Sequence, residues 1–204
     1  MNDSSGSADP ADSGGLPELS PTLDALRAHV LEHSVKRGEF TLKSGATSTW
    51  FLDTKQTACR PDGIVLVADA LIERFGDDLA TVDAMGGLTM GGDPVAHGVT
   101  AVLATRGWSI RSFSVRKEAK TGGVTGRIAG ALEPGDRVLV TDDTITRGVS
   151  LMEPADEIAA FGAHPVFMSV IVDRGGTCAA MAAERGIDYR PLLTAPDLGF
   201  EYGT

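Results

Sequence analysis

Between positions 137 and 150 the chain reads Arg137-Val138-Leu139-Val140-Thr141-Asp142-Asp143-Thr144-Ile145-Thr146-Arg147-Gly148-Val149-Ser150. The short aliphatic run has the character of a strand buried on both faces. It passes directly into two carboxylates, then small and hydroxyl residues, one glycine and a helix start. A strand covered on both faces needs helices above and below it, so this segment selects a layered α/β architecture. The remaining pattern agrees. Helices are expected over 22–37, 64–75, 94–104, 150–161 and 178–185, and strands over 40–43, 48–54, 81–85, 109–115, 137–141, 166–172 and 189–193. Such alternation predicts a mostly parallel sheet with helices on both faces. Gly38 is placed as the stop of the first helix, and Ser44-Gly45-Ala46-Thr47 as a hairpin turn. Asp93 and Pro94 are placed as N-cap and first residue of helix 94–104, and Ser150 with Glu153 as a capping box, with Pro154 in the first turn.

The 204 residues, 42% of them hydrophobic, suit one domain. A chain of this size buries about 70% of its unfolded surface and needs no disulfide or structural metal. Residues 1–21, rich in Ser, Gly, Asp and Pro, are expected to be a disordered leader before a single domain over 22–204. With 28 acidic and 18 basic side chains the net charge is -10, which argues against nucleic acid or anionic membranes as partners. Any phosphate must be bound locally. Cys59 and Cys178 lie far apart and outside any CxxC pair, as in reduced cytoplasmic proteins. No apolar run reaches the roughly 20 residues of a membrane span, and the first residues lack signal-peptide character.

The segment after Val140 is where chemistry is expected. Successive backbone N–H groups and the helix dipole form an anion cradle, to which Thr144, Thr146 and Ser150 add hydroxyl donors. Asp142 and Asp143 accept hydrogen bonds from vicinal sugar hydroxyls or hold a hydrated divalent cation. A ribose 5-phosphate satisfies both halves. The alternative is a plain strand-turn-helix corner whose Asp pair caps the helix. Positive charge is concentrated elsewhere: Arg106, Arg111, Arg116, Lys117, Lys120 and Arg127 lie in 22 positions with one acid, Glu118. Gly122, Gly123 and Gly126 make that stretch a candidate lid over pyrophosphate, against the plainer reading of a solvated charge run.

His29 and His33 stand at i,i+4 and lack a visible third ligand, so a solvent-facing helix pair is expected. Walker A, GxGxxG, HExxH and GxSxG patterns are absent, which leaves covalent nucleophilic catalysis without support.

Residues 137–150 resemble the phosphoribosyl pyrophosphate (PRPP) signature of type I phosphoribosyltransferases. Phe40-Thr41-Leu42-Lys43-Ser44-Gly45, Val115-Arg116-Lys117-Glu118-Ala119-Lys120 and Val172-Asp173-Arg174, in that order, are similar to the orotate-specific branch, over about residues 22–200. The resemblance implies a Rossmann-like sheet with helices on both faces and a small N-terminal hood within 22–55. It implies transfer of ribose 5-phosphate from PRPP to orotate, giving orotidine 5-monophosphate and pyrophosphate. PRPP would be held by Asp142, Asp143, Thr144, Ile145, Thr146, Arg147, Gly148, Val149 and Ser150. Arg116, Lys117 and Lys120 would act on pyrophosphate beside the two aspartates, and Lys43, Phe51, Thr146 and Arg174 would meet orotate. Mg²⁺ would arrive with PRPP, with water-mediated contacts to Asp142 and Asp143. A homodimer is implied, its lid 116–127 reaching the neighbouring subunit.

Three positions depart from the family pattern. Gly122 stands where relatives carry a lid histidine, Arg147 where they more often have a small residue, and Gly91 where many have a lysine. Two alternatives stay open: a phosphoribosyltransferase for another pyrimidine-like acceptor, or a non-catalytic PRPP or nucleotide binder.

Overall fold

A computed structural model describes residues 16–41, 47–120 and 126–203. The chain opens with α1 (Pro21–His33), β1 (Val35–Thr41), β2 (Thr47–Leu52) and the single-turn α2 (Lys55–Ala58). It continues through α3 (Pro61–Phe75), β3 (Ala84–Leu88), α4 (Gly92–Thr105), β4 (Arg111–Lys120), β5 (Gly126–Gly130) and β6 (Arg137–Ile145). After these come α5 (Val149–Phe161), β7 (His164–Asp173), α6 (Cys178–Ala183), β8 (Asp188–Tyr189) and β9 (Leu193–Thr194). β1 and β2 form an antiparallel pair of their own. The main sheet runs β5-β4-β3-β6-β7-β8, with β9 also on β7, and every pairing is parallel except β4 with β5.

Strand alternation sorts the core into two layers. Leu139, Phe167 and Ile171 face a cluster with Leu26 of α1, Val67 and Leu71 of α3, and Val95 and Val99 of α4. Val138, Val140, Met168 and Val170 point the other way, toward Leu151 and Ile158 of α5 and Cys178 and Ala182 of α6. Each fully buried side chain of this kind contributes about 1.5–3 kcal/mol, which makes β6 and β7 the fixed floor beneath the loops at their carboxyl ends. No helix among the described residues is long and apolar enough to cross a membrane.

Several boundaries differ from the sequence expectation. The first helix ends at His33, because Ser34 is drawn into tertiary contacts: its hydroxyl lies 2.7 Å from that of Thr57, and its carbonyl accepts from Asp53 N–H at 2.9 Å. Val35, Lys36 and Arg37 then pair in β1 opposite Leu52, Phe51 and Trp50. The last residues of the expected leader, from Leu16 onward, make contacts with the first helix. Arg27 donates to the Pro17 carbonyl at 2.7 Å, Ser20 caps α1 through Leu23 N–H, and α1 already includes Pro21. Residues 1–15 lie outside the described residues.

β6 runs on to Ile145, and the polar stretch after Val115 forms the facing arms of a hairpin, β4 and β5. Helix α4 starts one residue before Asp93. Gly148, at φ +76°, is the N-cap of α5, so Ser150 lies inside the helix and Glu153 pairs with Arg127 instead of closing a capping box. Pro154 is the sixth helical residue, and lacks the N–H that would meet the Ser150 carbonyl.

Candidate functional site

The carboxyl end of β6 places Asp142 and Asp143 side by side with 6% and 4% exposure. Two buried carboxylates need partners. Asp143 Oδ2 accepts from the Thr54 hydroxyl at 2.8 Å and from the Lys55 ammonium at 2.7 Å, while its own N–H donates to Asp142 Oδ1 at 2.9 Å. Burial, then the neighbouring charge of Asp143, pushes Asp142 up to about 7, with the Ser150 hydroxyl and the Asp143 amide pulling it back. For Lys55, burial alone would lower the pKa. The hydrogen bond and charge of Asp143, joined by the charges of Asp142 and Asp53, outweigh it and raise the value.

Asp142, Asp143 and Lys55 border a cavity of about 280 Å³ whose walls also include Lys117, Ser150, Leu88, Thr89, Met90 and Gly91. Gly91 is required by close approach: a Cβ there would lie 2.0 Å from Asp142 Oδ1 and 2.5 Å from Asp143 Oδ1. The loop therefore brings its backbone against the carboxylate pair. Positive charge enters from two elements, Lys55 on α2 and Lys117 on β4, and the pocket thus combines anionic and cationic walls suited to a sugar bearing anionic groups.

Of the residues singled out in the sequence, the structure brings Asp142, Asp143, Ser150 and Lys117 together. Thr144 is a strand residue whose hydroxyl donates to the Val172 carbonyl at 3.0 Å. Ile145 turns its side chain into the core, leaving only its backbone, and the Ile145 carbonyl accepts from Arg174 N–H at 2.7 Å. Thr146, Arg147 and Val149 are exposed around buried Gly148 at the start of α5, and Arg147 makes no ion pair with a described residue. Arg116 is half-buried, its carbonyl accepting from Arg127 Nε at 2.6 Å. Lys120 is exposed at the end of β4. Arg127 is held away from the pocket by Glu153 and, at 2.8 Å, by Glu157. Lys43 and Gly122 lie outside the described residues.

Arg174 is 9% exposed and sits with its guanidinium 4.2 Å from the ring centroid of Trp50. Trp50 stacks on Phe200 at 3.9 Å and 3°, and Arg37 lies 5.2 Å from the other ring. Arg174 is thus a buried residue, not a surface one paired with Asp173. The Asp173 carboxylate instead accepts from Gly175 and Gly176 N–H, both at 2.9 Å, and from the Tyr189 hydroxyl at 2.9 Å. Phe51 points to the opposite face of β2 from Trp50, 40% exposed and 5.7 Å from Phe40, so the structure does not bring it to Arg174. The aromatic beside Arg174 is Trp50.

Lys55, Thr54 and Trp50 were not found by sequence reasoning, and Gly91 was singled out only as a departure from the family pattern. The available signal for Lys55 was its position directly after the hydrophobic strand of the hood, in Asp53-Thr54-Lys55.

No protein-family model matches the chain. Orotate phosphoribosyltransferase of Corynebacterium glutamicum strain R is 36% identical over 170 residues, covering 83% of this chain and 90% of that one. Among solved structures, Mycobacterium tuberculosis H37Rv orotate phosphoribosyltransferase in complex with inorganic phosphate superimposes with a TM-score of 0.78 at 30% identity, over 89% of this chain and 100% of the other. The same enzyme in complex with PRPP gives 0.74 at 30% identity, over 88% and 100%.

Proposed function

The chain belongs to the orotate phosphoribosyltransferase family, and from that premise we propose how its own residues carry the reaction. It is a pentosyltransferase of pyrimidine nucleotide biosynthesis, transferring ribose 5-phosphate from PRPP to orotate. The observation that carries the assignment to the pocket is the meeting of Asp142 and Asp143 with Lys55, Lys117 and Ser150 around the backbone of Gly91.

Asp142 and Asp143 accept the ribose hydroxyls, and the N–H groups at the start of α5 with the Ser150 hydroxyl take the 5-phosphate. Lys55 and Lys117 face the pyrophosphate, joined by Arg116 and Lys120. Orotate N1 forms its bond to the anomeric carbon as the bond from that carbon to the pyrophosphate oxygen breaks, the electron pair leaving with pyrophosphate. Orotate reacts with N1 deprotonated, that proton having passed to water before the bond forms, so no side chain must take it. Arg174, a planar donor fork held on Trp50, sets the acceptor's carboxylate or carbonyl edge. Lys43 completes that contact. The donor set fits Mg²⁺, since the Oδ1 atoms of Asp142 and Asp143 are hard ligands facing Gly91, where no side chain intervenes. Mg²⁺ supplies further neutralisation of pyrophosphate when bound, held by these aspartates through water. The two free cysteines fit a cytoplasmic setting.

The test is pyrophosphate release with PRPP and a panel of bases. Orotate should be turned over at least 100-fold faster than uracil or other pyrimidines lacking the carboxylate. Robust turnover of another base with none on orotate would overturn the acceptor assignment, and tight PRPP binding without release would overturn catalysis.

The enzyme acts as a homodimer in which the β4–β5 hairpin reaches the partner's pocket, a reading supported by exposed Lys120 at the hairpin's far end. Mixing Lys120→Ala protein with Asp143→Asn protein should then restore up to about a quarter of wild-type activity, because one pocket in the mixed dimer is intact. A mixture as inactive as its components would refute exchange.

A further inference from the structure

The two histidines expected to face solvent do not both do so. His29 is 8% exposed, while His33 lies one turn further on the same face of α1, their ring centroids 4.4 Å apart. His29 Nδ1 is 3.1 Å from the Thr57 hydroxyl, which is in turn 2.7 Å from that of Ser34. This contact fixes the ring and turns Nε2 the other way. Nε2 is buried without a hydrogen bond and lies 3.6 Å from Asp62 Oδ2 at the start of α3, too far for a hydrogen bond. Gly63 permits the approach: a Cβ there would lie 2.8 Å from His29 Cε1 and 2.2 Å from the Thr57 carbonyl. One ligating atom from each of His29, His33 and Asp62 falls within 4.8 Å of the others.

We propose that His29, His33 and Asp62 form a zinc-class metal site, separate from the PRPP pocket. Two imidazole nitrogens and a carboxylate oxygen are the donors a tetrahedral Zn²⁺ takes, at about 2.0–2.2 Å, with a fourth position left to water. Ligand atoms around such an ion stand about 3.3 Å apart, close to the 3.6 Å between His29 and Asp62. The remaining closure needs only side-chain rotation of Asp62, 68% exposed, and His33, 24% exposed. Thr57 acts as the outer partner that orients a metal-binding imidazole. Mg²⁺, which prefers an all-oxygen shell, does not suit this donor set. A bound ion would clamp α1 to α3. Through Thr57 it would also steady α2, whose Lys55 holds Asp143.

The test uses the full chain without an affinity tag, stripped with a chelator and free of PRPP. One equivalent of Co²⁺ should give visible d–d absorption without sulfur charge-transfer bands. Saturating Zn²⁺ should raise Tm by about 5 °C, with no comparable rise from Mg²⁺. His33→Gln and Asp62→Asn, both at accessible positions, should each abolish the absorption and the Tm rise while keeping the metal-free Tm. The proposal is overturned by any of four outcomes: no absorption at tenfold excess of Co²⁺, absorption undiminished in either variant, charge-transfer bands placing the ion on exposed Cys59, or an equal Tm rise with Mg²⁺.

Discussion

Asp143→Asn should lower kcat/KM for pyrophosphate release by about 10²- to 10³-fold, the scale of removing one preorganised electrostatic group from a reacting centre. Asn keeps the shape and can still accept from Thr54. It loses the anion that Lys55 approaches at 2.7 Å, and its amide can turn N–H groups toward the ammonium. Folding should survive, because the Lys55 side chain is 41% exposed and its charge can turn to water. Calorimetry should show a Tm within a few degrees of wild type.

A second readout follows from Asp142. Burial and the charge of Asp143 hold it up to about 7. Replacing Asp143 by a neutral amide removes the like charge and lets the Asp142 pKa fall, so ionisation of Asp142 persists to lower pH. A limb of the pH–rate profile governed by Asp142 should shift toward acid in the variant. Lys55→Met should reduce activity less, and the double variant should lose less than the product of the two singles, since both act through one contact. Activity of Asp143→Asn within threefold of wild type would remove the carboxylate pair from the mechanism.

The sheet was legible in the sequence because buried strands and amphipathic helices leave distinct periods. What was not legible depended on contacts far along the chain. Nothing local stops the first helix at His33; the stop comes from Thr57 and Asp53 acting on Ser34. The end of β6 was placed too early because Thr144 and Ile145 lie among loop-forming residues, yet they pair with Val172 and Asp173. The hairpin arms 116–120 and 126–130 have no fully buried face, and so show no alternation for a strand to be read from. The PRPP segment was found because its chemistry is contiguous. Lys55 was missed because its partner is 88 residues away, and the third metal ligand because helix spacing on α1 says nothing of α3.

Gly91→Ala should be nearly as damaging as loss of Asp143, although alanine is uncharged and differs by one methyl. The added Cβ would meet Asp142 Oδ1 at 2.0 Å and Asp143 Oδ1 at 2.5 Å, and neither carboxylate is free to swing aside. Asp142 is tied by the Asp143 amide, and Asp143 by Thr54 and Lys55. Something must therefore shift by more than an ångström, either the loop that presents its backbone to the pocket or the pair itself. Misplacement on that scale costs about 100-fold in rate, and the strain of overpacking costs about 1–3 kcal/mol of stability. KM for PRPP should rise, since both the ribose hydroxyls and the loop amides lose their register. The backbone leaves no room for a side chain at this point of the loop, and the ammonium enters from α2 as Lys55. It follows that Gly91→Lys should not rescue Lys55→Met. Steady-state kinetics beside calorimetry decide the matter: Gly91→Ala with unaltered KM for PRPP and unaltered Tm would mean that the carboxylates yield freely, and that the loop is not packed against them as a fixed wall.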